Sequence, residues 1–259
     1  MPLVRLDKYI SERTEHTRSQ IKTLVQKGKV TVDGVIVKRS DHKIDDVSAD
    51  VKIGGESVSG QKFRYILMNK PEGYICSTDD HDGRTVMELI PPEMRAKGLF
   101  PAGRLDKDSL GALLITNDGE LAHRLLSPAS HIPKIYIVKL DRPLDIKYID
   151  IFKKGLKLSD DVQFLPADVK IVENCDTLAF IRIHEGKFHQ VKRMFEAAEN
   201  HVQILMRVSL GGLVLPETLG KGQCMELLHK DVENLTADMD FEAFYDRFSA
   251  IFSAILINK

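Results

Sequence analysis

PAGRLDKDSLGALLITNDG, Pro101 to Gly119, is the stretch whose reading decides the fold. The apolar run Ala112–Thr116 lies between a charged, turn-prone segment and the turn dipeptide Asp118-Gly119, the pattern of a buried strand with polar loops at both ends. The loop that feeds this strand crowds Arg104, Asp106, Lys107 and Asp108 together. Gly103, just upstream, gives the backbone freedom for a sharp turn or a close approach to a ligand. A solvated charged turn has the same composition, since surface ion pairs are common and weak. The alternative is a carboxylate kept ionised beside a basic group in a cleft.

On the carboxyl side of this stretch, Asn117 or Asp118 can cap a short helix carrying Leu121, Leu125 and Leu126, which Ser127-Pro128 ends. Ile135, Ile137 and Val138 around Tyr136 form a strand pattern. Further on, Glu185 to Met194 reads EGKFHQVKRM. Val191, Met194, Phe195 and Ala198 recur at helical spacing, so a helix starting near His189 buries that face while Lys192 and Arg193 project away from it. Val202–Leu215 alternates around Gly211-Gly212 as a bent strand pair, followed by a turn at Gly220–Gly222. Phe244, Phe248, Ile251, Phe252 and Ile255 predict an amphipathic helix over about 241–257, too short in its apolar part to span a membrane. On the amino side, Arg64–Asn69 and Gly73–Ser77 read as strands, and Lys70-Pro71-Glu72-Gly73 between them reads as a turn.

The first residues differ in character. From Met1 to Lys43 there are ten Lys or Arg against five Asp or Glu, a local charge of +5. From Glu226 to Arg247 seven acidic residues face two basic ones, a local charge of −5, so the net charge of −1 conceals a basic front and an acidic tail. In the front, Leu6, Tyr9 and Ile10 recur at helical spacing. Thr17-x-x-Gln20 reads as a capping box opening a second helix through Ile21, Leu24 and Val25, and Gly28 closes it. Lys29–Val32 and Val35–Lys38 around Asp33-Gly34 are a hairpin signal. This arrangement leaves Arg13, Arg18, Lys22, Lys27 and Lys29 to gather on one surface. SVSGQK, Ser57 to Lys62, is the best linker candidate.

Composition narrows the class. Over 259 residues, 43% hydrophobic and 29% charged content is that of a soluble globular protein with a sizeable core. Three widely spaced cysteines, Cys76, Cys175 and Cys224, form no metal-binding pattern and predict a reduced, cytoplasmic setting. The amino terminus has no apolar core of signal-peptide length, and no segment is apolar enough for a membrane helix. No repeat and no phosphate-binding glycine loop is present.

The order GRLDxDSxGxLxxTNDG resembles the signature of the RsuA family of pseudouridine synthases, with Leu110 and Ala112 departing from the usual pattern after the chemistry. The resemblance implies that Asp106 is the catalytic residue. Lys134-Ile135-Tyr136 is similar to the family segment whose tyrosine packs against the target base, and KPEG at Lys70–Gly73 to the segment that opens the catalytic domain. EGKFHQVKRM resembles its last signature, in which one basic residue partners the aspartate; Lys192 is favoured by position, with Arg193 the alternative. His189 and Gln190 are expected to fix local structure or contact RNA. RLDKYIS…TRSQIKTLVQKGKVTVDGVIVK resembles the alpha-L RNA-binding domain that precedes catalytic domains in this family. It implies that the basic front grips phosphates.

The expectation is therefore an α+β protein with an RNA-binding domain over 1–59 and a catalytic domain over 60–259, the latter a mixed, largely antiparallel sheet with flanking helices. Making pseudouridine breaks the bond between ribose and the uracil nitrogen and rejoins the base through carbon 5. No redox change or group donor is involved, so no cofactor and no metal are expected. The reaction needs an ionised carboxylate near the sugar, either to attack it or to take a proton from it. A cation must hold that carboxylate charged beside phosphate. The base must also leave its stack, and resemblance to the wider superfamily implies that Arg104 fills the gap, a role a guanidinium plane suits because it stacks where a base was. The expected partner is ribosomal RNA or an assembling subunit, with 16S RNA favoured over 23S, and the expected state is a cytoplasmic monomer. Two other classes compete: a non-catalytic RNA-binding assembly factor, which has no need of Asp106, Tyr136 and Lys192, and a hydrolase or phosphotransferase using Asp106, which needs carboxylate partners beyond Asp108 and the Asp79-Asp80 pair.

Overall fold

Period-two alternation of apolar residues divides the core between the two faces of one sheet. The computed structural model describes residues 3–14, 16–58, 62–81 and 83–257, the His229 side chain excepted. It consists of two compact units, Met1–Arg64 and Tyr65–Lys259.

In the first unit, β1 (Leu3–Arg5) leads into α1 (Leu6–Arg13) and α2 (Arg18–Gln26). The capping box at Thr17 forms: the Gln20 amide donates to Oγ1 of Thr17 and the Thr17 amide to Oε1 of Gln20, at 3.3 and 2.8 Å. β2 (Val30–Val32) and β3 (Val35–Ile36) pair around Asp33 and Gly34, both at positive φ, as a two-residue hairpin turn of this kind requires. β4 (Lys43–Asp45) pairs with β1, while β5 (Val51–Ile53) and β6 (Glu56–Ser57) complete the sheet β3-β2-β5-β6. Leu6, Ile10, Ile21, Val25 and Val30 are the buried centre.

The linker candidate Ser57–Lys62 is described only at its two ends. Ser57 pairs with Lys52 in the sheet, and Lys62 reaches back to Glu12 and Asp46, so the first unit holds both ends of the stretch. The division falls after Arg64 rather than at 59/60, and residues 59–61 lie outside the described residues.

In the second unit, β7 (Tyr65–Lys70), β8 (Phe100–Ala102) and β9 (Leu110–Thr116) precede α3 (Gly119–Leu126) and β10 (Lys134–Leu140). Then come α4 (Lys147–Lys154), the short hairpin β11 (Leu156–Lys157) and β12 (Gln163–Phe164), β13 (Asp168–Val172) and β14 (Cys175–Ile183). α5 (Gln190–Ala197), β15 (Val202–Leu210), β16 (Leu213–Val214), β17 (Cys224–Glu226), α6 (His229–Asn234) and α7 (Phe241–Ile257) close the chain. The nine-stranded sheet runs β13-β14-β10-β15-β9-β7-β17, with β16 on β15 and β8 on β9. Every pairing is antiparallel except β9 with β15. Gly73–Ser77 is not a strand: only Ile75 pairs, in a single bridge to Thr85.

One face carries Leu67, Leu114, Ile135, Ile137 and Phe180 under α3 and α7. The other carries Ile66, Met68, Leu113, Tyr136, Val138 and Ile181 under Phe152 of α4 and Phe195 of α5. Tyr136 therefore shares a face with α5, while its neighbours Ile135 and Ile137 look the other way. Gly111 sits at the parallel junction with φ +99, where a Cβ would lie 2.1 Å from the Arg207 carbonyl oxygen. Gly111→Ala is expected to destabilise the second unit by about 3 kcal/mol or more, since both the backbone conformation and the space forbid a side chain. Thermal unfolding of the variant measures this.

Candidate active site

The loop before β9 is held from below by a buried amine. Lys70, at the end of β7, is 0% exposed. Its Nζ donates to the backbone carbonyls of Ser109 at 2.8 Å, Asp106 at 3.0 Å and Pro71 at 3.0 Å, with the Lys107 carbonyl at 3.4 Å. Burial pulls this ammonium below the ordinary lysine range, against the raising fields of Cys76, Asp108 and Asp106. Three further bonds tie the loop: the Gly73 amide to the Lys107 carbonyl at 2.7 Å, the Ser109 amide to the Asp106 carbonyl at 3.0 Å, and the Leu105 amide to Sγ of Cys76 at 3.3 Å. The KPEG segment is thus more than a turn. Its lysine was legible in one respect: Ile66, Met68 and Lys70 share a face by period two, so an amine stands where an apolar residue is due.

The loop so fixed presents Asp106, whose side chain is 31% exposed, to the start of α5. Nζ of Lys192 lies 3.3 Å from Oδ2 of Asp106 and bonds both oxygens of Asp108, at 2.7 and 2.9 Å. Burial acts to lower Lys192, but the hydrogen bond to Asp108 and the charges of both aspartates outweigh it and hold the ammonium above its ordinary value. Asp108 is correspondingly held below the usual carboxylate range: burial opposes the shift, and the Lys192 bond and charge prevail. On the other oxygen, Nε2 of His189 stands 3.4 Å from Oδ1 of Asp106. A small cavity beside the carboxylate is lined by Leu105, Tyr136, Val191 and Leu205, with Arg104 and His189 at its polar side.

Successive residues on a helix are turned by about 100°, and this separates the two basic candidates. Lys192 faces the aspartates, whereas Arg193 pairs with Asp160 and lies over the ring of Phe164, 5.6 Å from its centroid. Arg193 is therefore not the partner of Asp106. Of the two roles expected for Gln190, the geometry supports the fixing of local structure. It is buried, donates to Glu185 at 2.9 Å and accepts the Lys187 amide at 3.1 Å, which folds the EGK turn. Glu185 completes that knot by accepting the Leu165 amide at 2.8 Å. Arg104 is exposed at the mouth of the cavity and has no hydrogen-bond or ion-pair partner among the described residues.

In the first unit Arg18 and Lys22 line an open cavity with Arg5, Lys38 and Arg39, three residues that no local pattern in the sequence singles out. Arg5 and Arg39 are each steadied by an aspartate two residues on, Asp7 and Asp41. Lys27 and Lys29 are exposed and do not line this cavity. Arg13 belongs to neither group: it is largely buried, bonded to Asp46 at 2.9 Å and stacked over the Tyr9 ring.

Residues 64–197 match the RNA pseudouridylate synthase family, and residues 4–58 match the S4 domain. The chain belongs to the RNA pseudouridine synthases. The uncharacterized RNA pseudouridine synthase YtzG of Bacillus subtilis is 38% identical, over 90% of this chain and 98% of its own. Ribosomal small subunit pseudouridine synthase A is 37% identical in Vibrio cholerae, over 90% of this chain and 99% of its own, and 36% identical in Escherichia coli, over 90% and 100%. A pseudouridylate synthase of known crystal structure is 34% identical with a TM-score of 0.62, covering 90% of this chain and 99% of that one. Membership sets aside the non-catalytic and hydrolase readings, and the Asp79-Asp80 pair of the synthase indeed lines a different cavity from Asp106.

Two results are expected from this geometry. Lys192→Met lowers turnover by on the order of 10²-fold or more, as loss of a preorganised charge at a reacting centre does, while Arg193→Met changes it little; single-turnover rates compare them. Lys70→Met leaves the loop carbonyls without their donor, lowers the melting temperature and speeds hydrogen exchange at the Leu105 and Ser109 amides, as removal of a buried charged donor destabilises by about 3 kcal/mol or more.

Proposed function

We propose that this synthase isomerises one uridine of small-subunit ribosomal RNA to pseudouridine, with Asp106 as the reacting carboxylate. The observation that carries the reading is the half-buried Asp106 carboxylate, paired to Lys192 and opening on a cavity walled by the Tyr136 ring. In the reaction the bond from ribose carbon 1′ to uracil N1 breaks, the base turns, and carbon 5 bonds to carbon 1′. The carbon 5 proton is lost and N1 gains one, so the composition of the RNA is unchanged. Asp106 serves either by attacking carbon 1′ or by taking a proton from the sugar. Lys192 keeps it ionised as RNA phosphates approach. Tyr136 offers a flat apolar face to the uracil.

Arg104, unpaired at the cavity mouth, is suited to take the place of the extruded base, which offsets an unstacking cost of a few kcal/mol. Arg18 and Lys22, with Arg5, Lys38 and Arg39 around them, are the phosphate grip of the S4 domain; among the described residues the first two have no aspartate bonded to them, and they carry most of the attraction. The small-subunit target rests on the relatives named for that subunit, each spanned almost end to end by this chain. The enzyme is taken to act as a monomer in the cytoplasm, where its RNA is made.

A small-subunit RNA transcript carrying tritium at uracil carbon 5 tests the reading, because each turnover releases one label to water. Wild type is expected to release it, and Asp106→Asn to release none while binding RNA with unchanged affinity. Equal release by Asp106→Asn would remove Asp106 from the chemistry. The pair Arg18→Ala and Lys22→Ala is expected to weaken binding and flatten its salt dependence by about 0.7–0.9 in log–log slope for each phosphate that is no longer neutralised.

A further inference from the structure

We propose that Phe188 is a stacking platform for the base next to the target uridine, which makes it a specificity-determining residue of this site. The inference rests on Asp106 being the reacting carboxylate. Phe188 is 67% exposed, although a large aromatic ring left in water forgoes the stabilisation that burial gives. Its ring is nonetheless fixed. It lies 3.8 Å from the His189 ring, centroid to centroid, with 17° between the planes, so one face is covered and one is open.

The His189 ring is held in turn. Its backbone sits at φ 49 in the left-handed region, an uncommon state for a residue with a side chain, and its Nε2 stands 3.4 Å from Asp106. The Glu185–Gln190–Lys187 knot on the other side of the turn anchors this conformation. A left-handed turn, a stacked ring and a contact to the reacting carboxylate thus converge on presenting one open aromatic face against His189, which lines the cavity although Phe188 itself does not.

A nucleobase is the occupant that fits. His189 lines both the cavity holding Tyr136 and the one formed by Glu72, Gly73, Lys107, Asp108 and Lys192, so Phe188 continues the surface that RNA must cross to bring a uridine to Asp106. Every base has a π face, and a single open ring takes a single base. With Tyr136 facing the target base and Phe188 its neighbour, the two rings would set which nucleotide beside the target is held most tightly.

The test uses the full chain and a short synthetic RNA centred on the pseudouridine position mapped for this enzyme, with the base removed at one flanking position at a time. Phe188→Tyr and Phe188→Trp keep the π face, and Phe188→Leu keeps apolar bulk without it. Leu is expected to lower kcat/KM about ten- to hundredfold through KM, as loss of one base–aromatic stack does, with Tyr and Trp close to wild type and the melting temperature unchanged. One abasic position should penalise wild type heavily and Phe188→Leu hardly at all. Equal penalties in both proteins at every flanking position would overturn the proposal, as would a Leu variant as active as wild type. A loss confined to kcat and accompanied by a shifted pH profile would also overturn it, because that result assigns Phe188 to steadying His189 instead. Wild type that releases no label from the RNA would overturn the reading of Asp106, and this one with it.

Discussion

A lysine amine at the end of β7, sealed from water and committed entirely to backbone carbonyls, is the constraint on which the site depends. Lys70 gathers the carbonyls of Pro71, Asp106 and Ser109 around one ammonium, with that of Lys107 beside them. Carbonyls converging on one point repel each other, so the loop takes this shape only around a cation, and the buried cation is tolerable only because they converge on it. The Asp106 side chain must therefore leave the loop on its opposite side, toward α5. Gly111 works with this constraint from the strand, since its missing Cβ lets β9 lie against Arg207 of β15 in the one parallel pairing of the sheet.

The second half of the site comes from α5 and is fixed by different means. Val191, Met194 and Phe195 lock the helix against the sheet, and the Glu185–Gln190 bond sets where it starts. With the helix phase decided, Lys192 has one direction to point and Arg193 another. Tyr136 completes the cavity because alternation along β10 puts it on the α5 face. Loop, helix and strand are thus brought together by three separate rules of side-chain direction, and the resulting carboxylate has a cation on one oxygen and an imidazole on the other.

The sequence was most legible where local rules act alone. The capping box at Thr17, the Asp33-Gly34 hairpin, the strand before Asp118 and the helix after His189 each follow from a few neighbouring residues. Asp106, Tyr136 and Lys192 were visible through signature order; the structure sets Asp106 and Tyr136 on one cavity and Lys192 against an oxygen of Asp106. What escaped was long-range. Lys70 meets residues more than thirty positions away, and nothing local distinguishes it from a lysine in a turn except the face it occupies. Gln190 and Arg193 sat in the right motif, but only the positions of Glu185 and Asp160 in space decide that one closes a turn and the other an outer ion pair. Arg13 likewise reads as a free cation until Tyr9 and Asp46 are found against it. Arg5, Lys38 and Arg39 escaped because the cavity they share with Arg18 and Lys22 is assembled from three separate segments of the first unit.

The central claim is that this chain makes one pseudouridine in small-subunit RNA through Asp106. Its most direct measurement is a map of pseudouridines across both ribosomal RNAs of a host lacking the gene, complemented by wild type or by Asp106→Asn. The account predicts that a single site in the small-subunit RNA disappears and that only wild type restores it. An unchanged map, or restoration by Asp106→Asn, would contradict it.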